Sequence, residues 1–165
     1  MVSFKRDNNP GFLDMHVKYL KRLLNEVPID AIEVDDMYDY VGLASCGCKY
    51  CRERFKRDYN REIPSFDDNF FWGDTSKPML YWGNYDNPAF RNFIRIKSES
   101  VANHVKLVKS TAGKIPLQTC SSSTGPIVLN TISLNLERMS PYLDFFMLEN
   151  VGQNGNGVNW VPKDQ

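Results

Sequence analysis

Ala31-Ile32-Glu33-Val34-Asp35-Asp36 is the run on which the fold turns. Successive side chains of an extended segment point to opposite faces, so Ile32 and Val34 share one face and Glu33 and Asp35 the other. The apolar face is expected to meet helices. The acidic face then points inward, and Asp36 sits at the rim, where strand gives way to loop. Carboxylates at the C-terminal end of a buried strand stand where barrel folds keep their chemistry.

The flanks alternate helix with strand. Upstream, Phe12, Met15, Tyr19, Leu20, Leu23, Leu24 and Val27 recur at three- and four-residue spacing, which predicts a helix over 11–27. Asp14 in its first turn and Lys18, Lys21 and Arg22 later suit the helix dipole, and Pro28 ends it. Downstream, 49–60 reads as a short helix with Phe55 and Tyr59 on one side. Residues 61–88 mix Pro64, Pro78 and Pro88 with Phe66, Phe70, Phe71, Trp72 and Trp82. No periodicity survives there, so a long loop over the active face is expected. Asn87-Pro88 reads as the cap and first turn of a helix reaching about Ser110, with Phe90, Phe93, Ile94, Val101, Val105 and Val108 inward. A second strand is expected over 115–120, a helix over 132–139, and a third strand over 143–150, again finishing on an acid, Glu149. The tail 151–165 suggests no element.

The expected fold class is α/β, with parallel strands joined by crossover helices. The 165 residues, 42% of them hydrophobic, suit one domain with one core. Three strands cannot close a barrel, which takes about 250 residues. The chain is therefore a small open sheet or a middle portion of a barrel.

Lys plus Arg and Asp plus Glu each count 20, so the net charge is zero. Nucleic acid and anionic membrane surfaces call for a basic excess and are not expected as partners. No run reaches the ~18 apolar residues of a membrane span, and residues 1–10 lack the apolar stretch of a signal peptide. A cytoplasmic protein is expected; a homo-oligomer is compatible with the sequence.

Cys46-Gly47-Cys48-Lys49-Tyr50-Cys51 places three thiols within six residues, which a metal explains most simply. Three reduced thiols, or a Cys46–Cys51 disulfide, is the alternative. A C-x-x-C turn presents both sulfurs to one point, so Cys46, Cys48 and Cys51 are the expected ligands of a structural Zn2+. A fourth ligand is required. Cys120, His16 and His104 are the internal candidates, none at convincing spacing. The basic stretch Arg52, Arg54, Lys56 and Arg57 alternates with Glu53 and Asp58 and reads as a solvated helix face.

From Asp35 onward the chain resembles glycoside hydrolase family 42, the clan-A β-galactosidases, and the putative glycosyl hydrolases related to it. The matching text is Asp35-Asp36-Met37-Tyr38, then Cys46, Cys48 and Cys51, then the helix from Arg52 through Phe55 to Tyr59. Trp72, Trp82 and Asn87-Pro88-Ala89-Phe90 are similar to the aromatic loop and Asn-Pro helix that follow in the family. Pro116-Leu117-Gln118-Thr119 and Leu143-Asp144-Phe145-Phe146 are similar to its next two strands. The resemblance covers 9–151 and implies barrel strands four to six with their helices. Two departures stand out. The family's acid/base Glu is an Asp here, Asp36 or, under a one-residue shift, Asp35. The family's nucleophile, a Glu on strand seven, falls beyond residue 165.

The resemblance implies a hydrolase of O-glycosidic bonds in β-galactoside-like or other oligosaccharides. Such hydrolysis takes two carboxyl groups flanking the scissile bond. Asp36, Asp35 and Glu149 are the catalytic candidates, with Tyr38, Asp39, Trp72, Trp82 and Asn150 expected around the substrate. Tyr81 and Tyr85 could join them, although ordinary packing of the loop is the better reading for each of these aromatics taken alone. Asp36 or Asp39 capping its loop is the structural alternative. Glu33 could be a deeper acid paired with a basic residue. A non-catalytic carbohydrate-binding barrel remnant and a zinc-knuckle interaction module are the rival functions.

Overall fold

Strands β1 (Ile32–Val34), β2 (Leu117–Ser121) and β3 (Phe145–Leu148) lie side by side in chain order, and both pairings are parallel. They belong to a computed structural model that describes residues 8–35, 43, 46–78, 81–121 and 133–148. Ile32 pairs with Leu117 and Glu33 with Gln118; on the other side of β2, Thr119 pairs with Phe146 and Cys120 with Met147. Paired residues of a parallel ladder share a face. Ile32, Val34, Leu117 and Phe146 pack against the helices, as the period-two pattern predicts. The opposite face carries Glu33, Gln118, Cys120, Phe145 and Met147. Phe145 is 62% exposed and Met147 40%.

The helices start where the sequence supplies caps. Helix α1 (Pro10–Glu26) begins with Asn9, whose side chain accepts from the Gly11 N–H. Helix α2 (Lys49–Tyr59) ends at Asn60, in the left-handed region. A short helix α3 (Asn69–Trp72) is capped by Asp68. The long helix α4 (Pro88–Ala112) is capped by Asn87, whose Oδ1 accepts from the Ala89 N–H at 2.9 Å. Helix α5 (Leu136–Met139) runs into a 3-10 turn at Ser140–Tyr142.

Helix α4 serves two cores. Its C-terminal half sets Val101, Val105 and Val108 against Leu20 of α1, Leu117 of β2 and Met139 of α5. Its N-terminal half sets Phe90, Phe93 and Ile96 against Phe55, Ile63, Phe71, Trp72 and Leu43. Between them, Arg54 of α2 donates to Asn8 Oδ1 (3.0 Å), Ser100 Oγ (2.8 Å) and Glu99 Oε2 (3.0 Å). That network ties the chain before α1 to α2 and α4.

Two expectations are corrected. Residues 61–88 are not an open loop: they contain α3 and bury Ile63, Phe71 and Trp72. One helical turn is too short to show a period, so only tertiary packing reveals it. The helix expected over 132–139 is helical only at Leu136–Met139 among the described residues, because Ser133 adopts a positive φ of 68° that no helix continues through. The three parallel strands expected from the sequence are present among the described residues, and as expected they do not close into a barrel.

Asp144 joins the base of the sheet to α4. Its Oδ2 accepts from Lys109 Nζ at 2.7 Å and from the Leu117 N–H at 2.8 Å. The ammonium and the backbone donor together hold its carboxyl below the ordinary range. A depressed folded-state value adds stability above the ordinary carboxylate range, and this is lost as pH falls through the folded value. Asp144→Asn is expected to lower the thermal midpoint at pH 7, with the gap to wild type closing below about pH 4. Melts from pH 7 to pH 3 check this. A gap independent of pH would place the effect in the hydrogen bonds alone.

Candidate metal centre and acidic sheet face

Cys48 caps α2, and Cys51 lies in the first turn of that helix. The turn closes when the Arg52 N–H donates to the Cys48 carbonyl at 3.0 Å. This brings Cys48 Sγ to 3.6 Å from Cys51 Sγ. The Sγ atoms of Cys46, Cys48 and Cys51 all lie within 4.8 Å of one another. All four cysteines are free thiols, so the Cys46–Cys51 disulfide is not formed.

The surroundings favour thiolates that share a cation. The amino end of α2 directs its partial positive charge at the cluster. Asn8 Nδ2 donates to Cys51 Sγ at 3.3 Å while bonding Ser100 Oγ at 2.9 Å, so an outer shell already orients one ligand. As a bare group, Cys51 is opposed: the neighbouring Cys46 thiol and burial push its titration well above the ordinary thiol range. A bound cation reverses that opposition. The donor set suits a soft or borderline metal ion.

None of the candidate fourth ligands joins this cluster among the described residues. His16 Nδ1 lies 2.7 Å from His104 Nε2, with Phe12 stacked edge-on against His104. Cys120 lies on the sheet, where its thiol donates to Asp35 Oδ1 at 2.6 Å.

That second contact belongs to another constellation. Glu33, Asp35 and Cys120 bring their side-chain oxygens and sulfur within 4.8 Å of one another on the sheet face away from the helices. Glu33 Oε2 accepts from Gln118 Nε2 at 2.7 Å. The partner of Glu33 is therefore a neutral amide and not the basic residue considered from sequence. Glu33 and Gln118 are opposite one another in the β1–β2 register. No local motif reveals that; it needs the strand pairing.

Of the catalytic candidates, Asp35 is described, at the C-terminal end of β1 and exposed. Asp36 and Glu149 lie outside the described residues, as do Tyr38, Asp39 and Asn150. Trp72, expected beside the substrate, is buried instead. It is 1% exposed and enclosed by Phe66, Phe71, Phe90 and Phe93, and its indole N–H is directed at the Pro64 carbonyl (3.3 Å). Trp82 is half-buried and donates to the Lys77 carbonyl at 2.7 Å. Phe66, Phe70, Tyr81 and Tyr85 of the same segment are exposed. No described helix is long and apolar enough to cross a membrane. No family model matches the chain, and neither a curated protein nor a solved structure matches it.

Proposed function

We propose that this chain is a sector of a glycoside-hydrolase barrel, acting on O-glycosidic bonds of β-galactoside-like or other oligosaccharides. The observation that carries the proposal is a parallel sheet in strict chain order, helices on one face and an acidic, partly apolar face on the other. Doubly wound sheets are covered by helices on both faces. A barrel keeps chain order and turns its second face inward. Exposed Phe145 and Met147 are then the positions that further strands would cover.

In this proposal Asp36, or Asp35 beside it, protonates the leaving oxygen at the rim of β1. Glu149, at the matching end of β3, contacts the sugar. Tyr38, Asp39, Trp82 and Asn150 border the substrate. The side chain of Glu33, held by Gln118, gives the site a second carboxylate close to Asp35. Cys46, Cys48 and Cys51 would hold Zn2+. The ion would supply rigidity to the connection between β1 and α2, which carries Asp36, and no chemistry on the substrate.

The test pairs turnover of an aryl β-galactoside with calorimetric binding of lactose and longer galacto-oligosaccharides. Asp36→Asn is expected to lower turnover by about 100-fold or more while sugar binding persists. Turnover unchanged in both Asp35→Asn and Asp36→Asn, or no saturable sugar binding by the wild-type chain, overturns the proposal.

A further inference from the structure

A cavity of about 520 Å3 lies between the N-terminal half of α4 and the segment entering α5. It shares no residue with the cysteine cluster or the acidic sheet face. Its wall includes Arg91, Arg95, Ser133, Asn135 and Arg138. The three guanidiniums face the lining carboxylate of Glu137 and, through Arg138, that of Glu99, which leaves one positive charge in a chain whose net charge is zero.

The guanidiniums are differently committed. Arg91 Nη1 donates to the Tyr85 carbonyl at 2.6 Å, and Arg138 Nη1 stands 3.5 Å from Glu99 Oε1. Both are thereby fixed in place. Arg95 makes no hydrogen bond or ion pair through its guanidinium among the described residues. Asn135 gives its oxygen to the Arg138 N–H at 3.0 Å, which keeps its NH2 group as a further donor.

Ser133 is the independent sign of a ligand. It is 1% exposed, its φ is 68°, and its hydroxyl has no hydrogen-bond partner among the described residues. A buried hydroxyl without a partner is destabilising, and so is a left-handed serine. Two such costs at one residue on the wall of an arginine-lined cavity are accounted for if the hydroxyl meets a ligand there.

We infer that this cavity binds the phosphate group of a small phosphorylated molecule, with Arg95 and Arg138 as charged donors and Ser133 as the neutral one. The positive wall suits an anionic group, and Arg95, which has no anionic partner among the described residues, is its unmatched charge. The planar fork of arginine suits bidentate contact with such oxyanions. The volume exceeds what inorganic phosphate fills and lies in the range of small-molecule sites. This assignment is independent of the sugar-cleaving proposal and uses none of its residues.

Calorimetric titration at constant ionic strength tests it, with inorganic phosphate and glucose 6-phosphate as probes and chloride as the control. One saturable site per chain is expected, with tighter binding of the monoester. Arg95→Gln changes an exposed side chain and is expected to weaken binding about tenfold. Ser133→Ala is expected to weaken it severalfold without lowering the thermal midpoint of the phosphate-free protein, since the hydroxyl it removes bonds nothing there. Equal affinity for the two probes would support the anion site and make free phosphate its ligand. No saturable binding above the chloride control, or affinities unchanged in both variants, overturns the inference.

Discussion

Zinc at a thousandfold excess over its dissociation constant is expected to raise the thermal midpoint of this protein by about 8–16 °C, and Cys46→Ser to abolish most of that rise. A ligand that binds only the folded state at that excess adds about 4 kcal/mol. In a domain of this size each kcal/mol shifts the midpoint by about 2–4 °C. The effect should be large because α2 starts on the cluster. Cys48 is its cap and Cys51 lies in its first turn. Cys51 is also tied through Asn8 to Ser100, and so to the Arg54 network that joins α2 to α4. Loosening the three sulfurs frees the start of a helix whose Phe55 is fully buried.

Cys46→Ser is the better variant because Cys46 is half-buried and outside the helix, so its loss opens no hole in the core. Cys51→Ala would confuse lost metal with lost packing. Melts followed by circular dichroism, with zinc and with a chelator, give the measurement. Identical midpoints with and without zinc would leave the cluster as three reduced thiols. A rise that survives Cys46→Ser unchanged would move the ion elsewhere.

What the sequence revealed depended on how local each cause is. The alternation at Ile32 to Asp35 specifies which side chains face the helices, because a strand's two faces follow from its backbone alone. Asn87-Pro88 marks the start of α4 for a similarly local reason: the cap bonds a neighbour two residues away. The cysteine spacing likewise brings three sulfurs together within one turn. The missed features are long-range. Cys120 reaches Asp35, and Gln118 reaches Glu33, only through the parallel register of β1 and β2. Ser133 breaks the expected helix by a backbone angle that no residue pattern announces. Among aromatic residues spaced without period, nothing in the sequence separates buried Trp72 from half-exposed Trp82.

Those two tryptophans give the second large effect. Trp72→Ala is expected to cost about 3–5 kcal/mol, the range for removing a fully buried large aromatic. Trp82→Ala should cost about 1–2 kcal/mol, since that ring is half-exposed and its hydrogen bond to Lys77 holds only a surface loop. The difference follows from what Trp72 supports. Its ring lies 4.8 Å from Phe71 and 5.5 Å from Phe93, and its carbonyl accepts from the Gly83 N–H at 2.6 Å. Gly83 in turn has a φ of 107° and packs so tightly on Phe90 that any Cβ there would strike the ring. Removing the Trp72 ring leaves that backbone hydrogen bond in place but takes away the packing between α3 and the N-terminal half of α4. Against a total stability of about 5–15 kcal/mol, that loss leaves little folded protein under mild denaturant. Urea unfolding read by far-ultraviolet circular dichroism measures both variants without relying on the tryptophan signal. The comparison also decides between two roles for the segment. A sugar platform at position 72 predicts lost binding with stability retained. A core tryptophan predicts the reverse order, with Trp82→Ala the variant that weakens sugar binding in a protein that still folds.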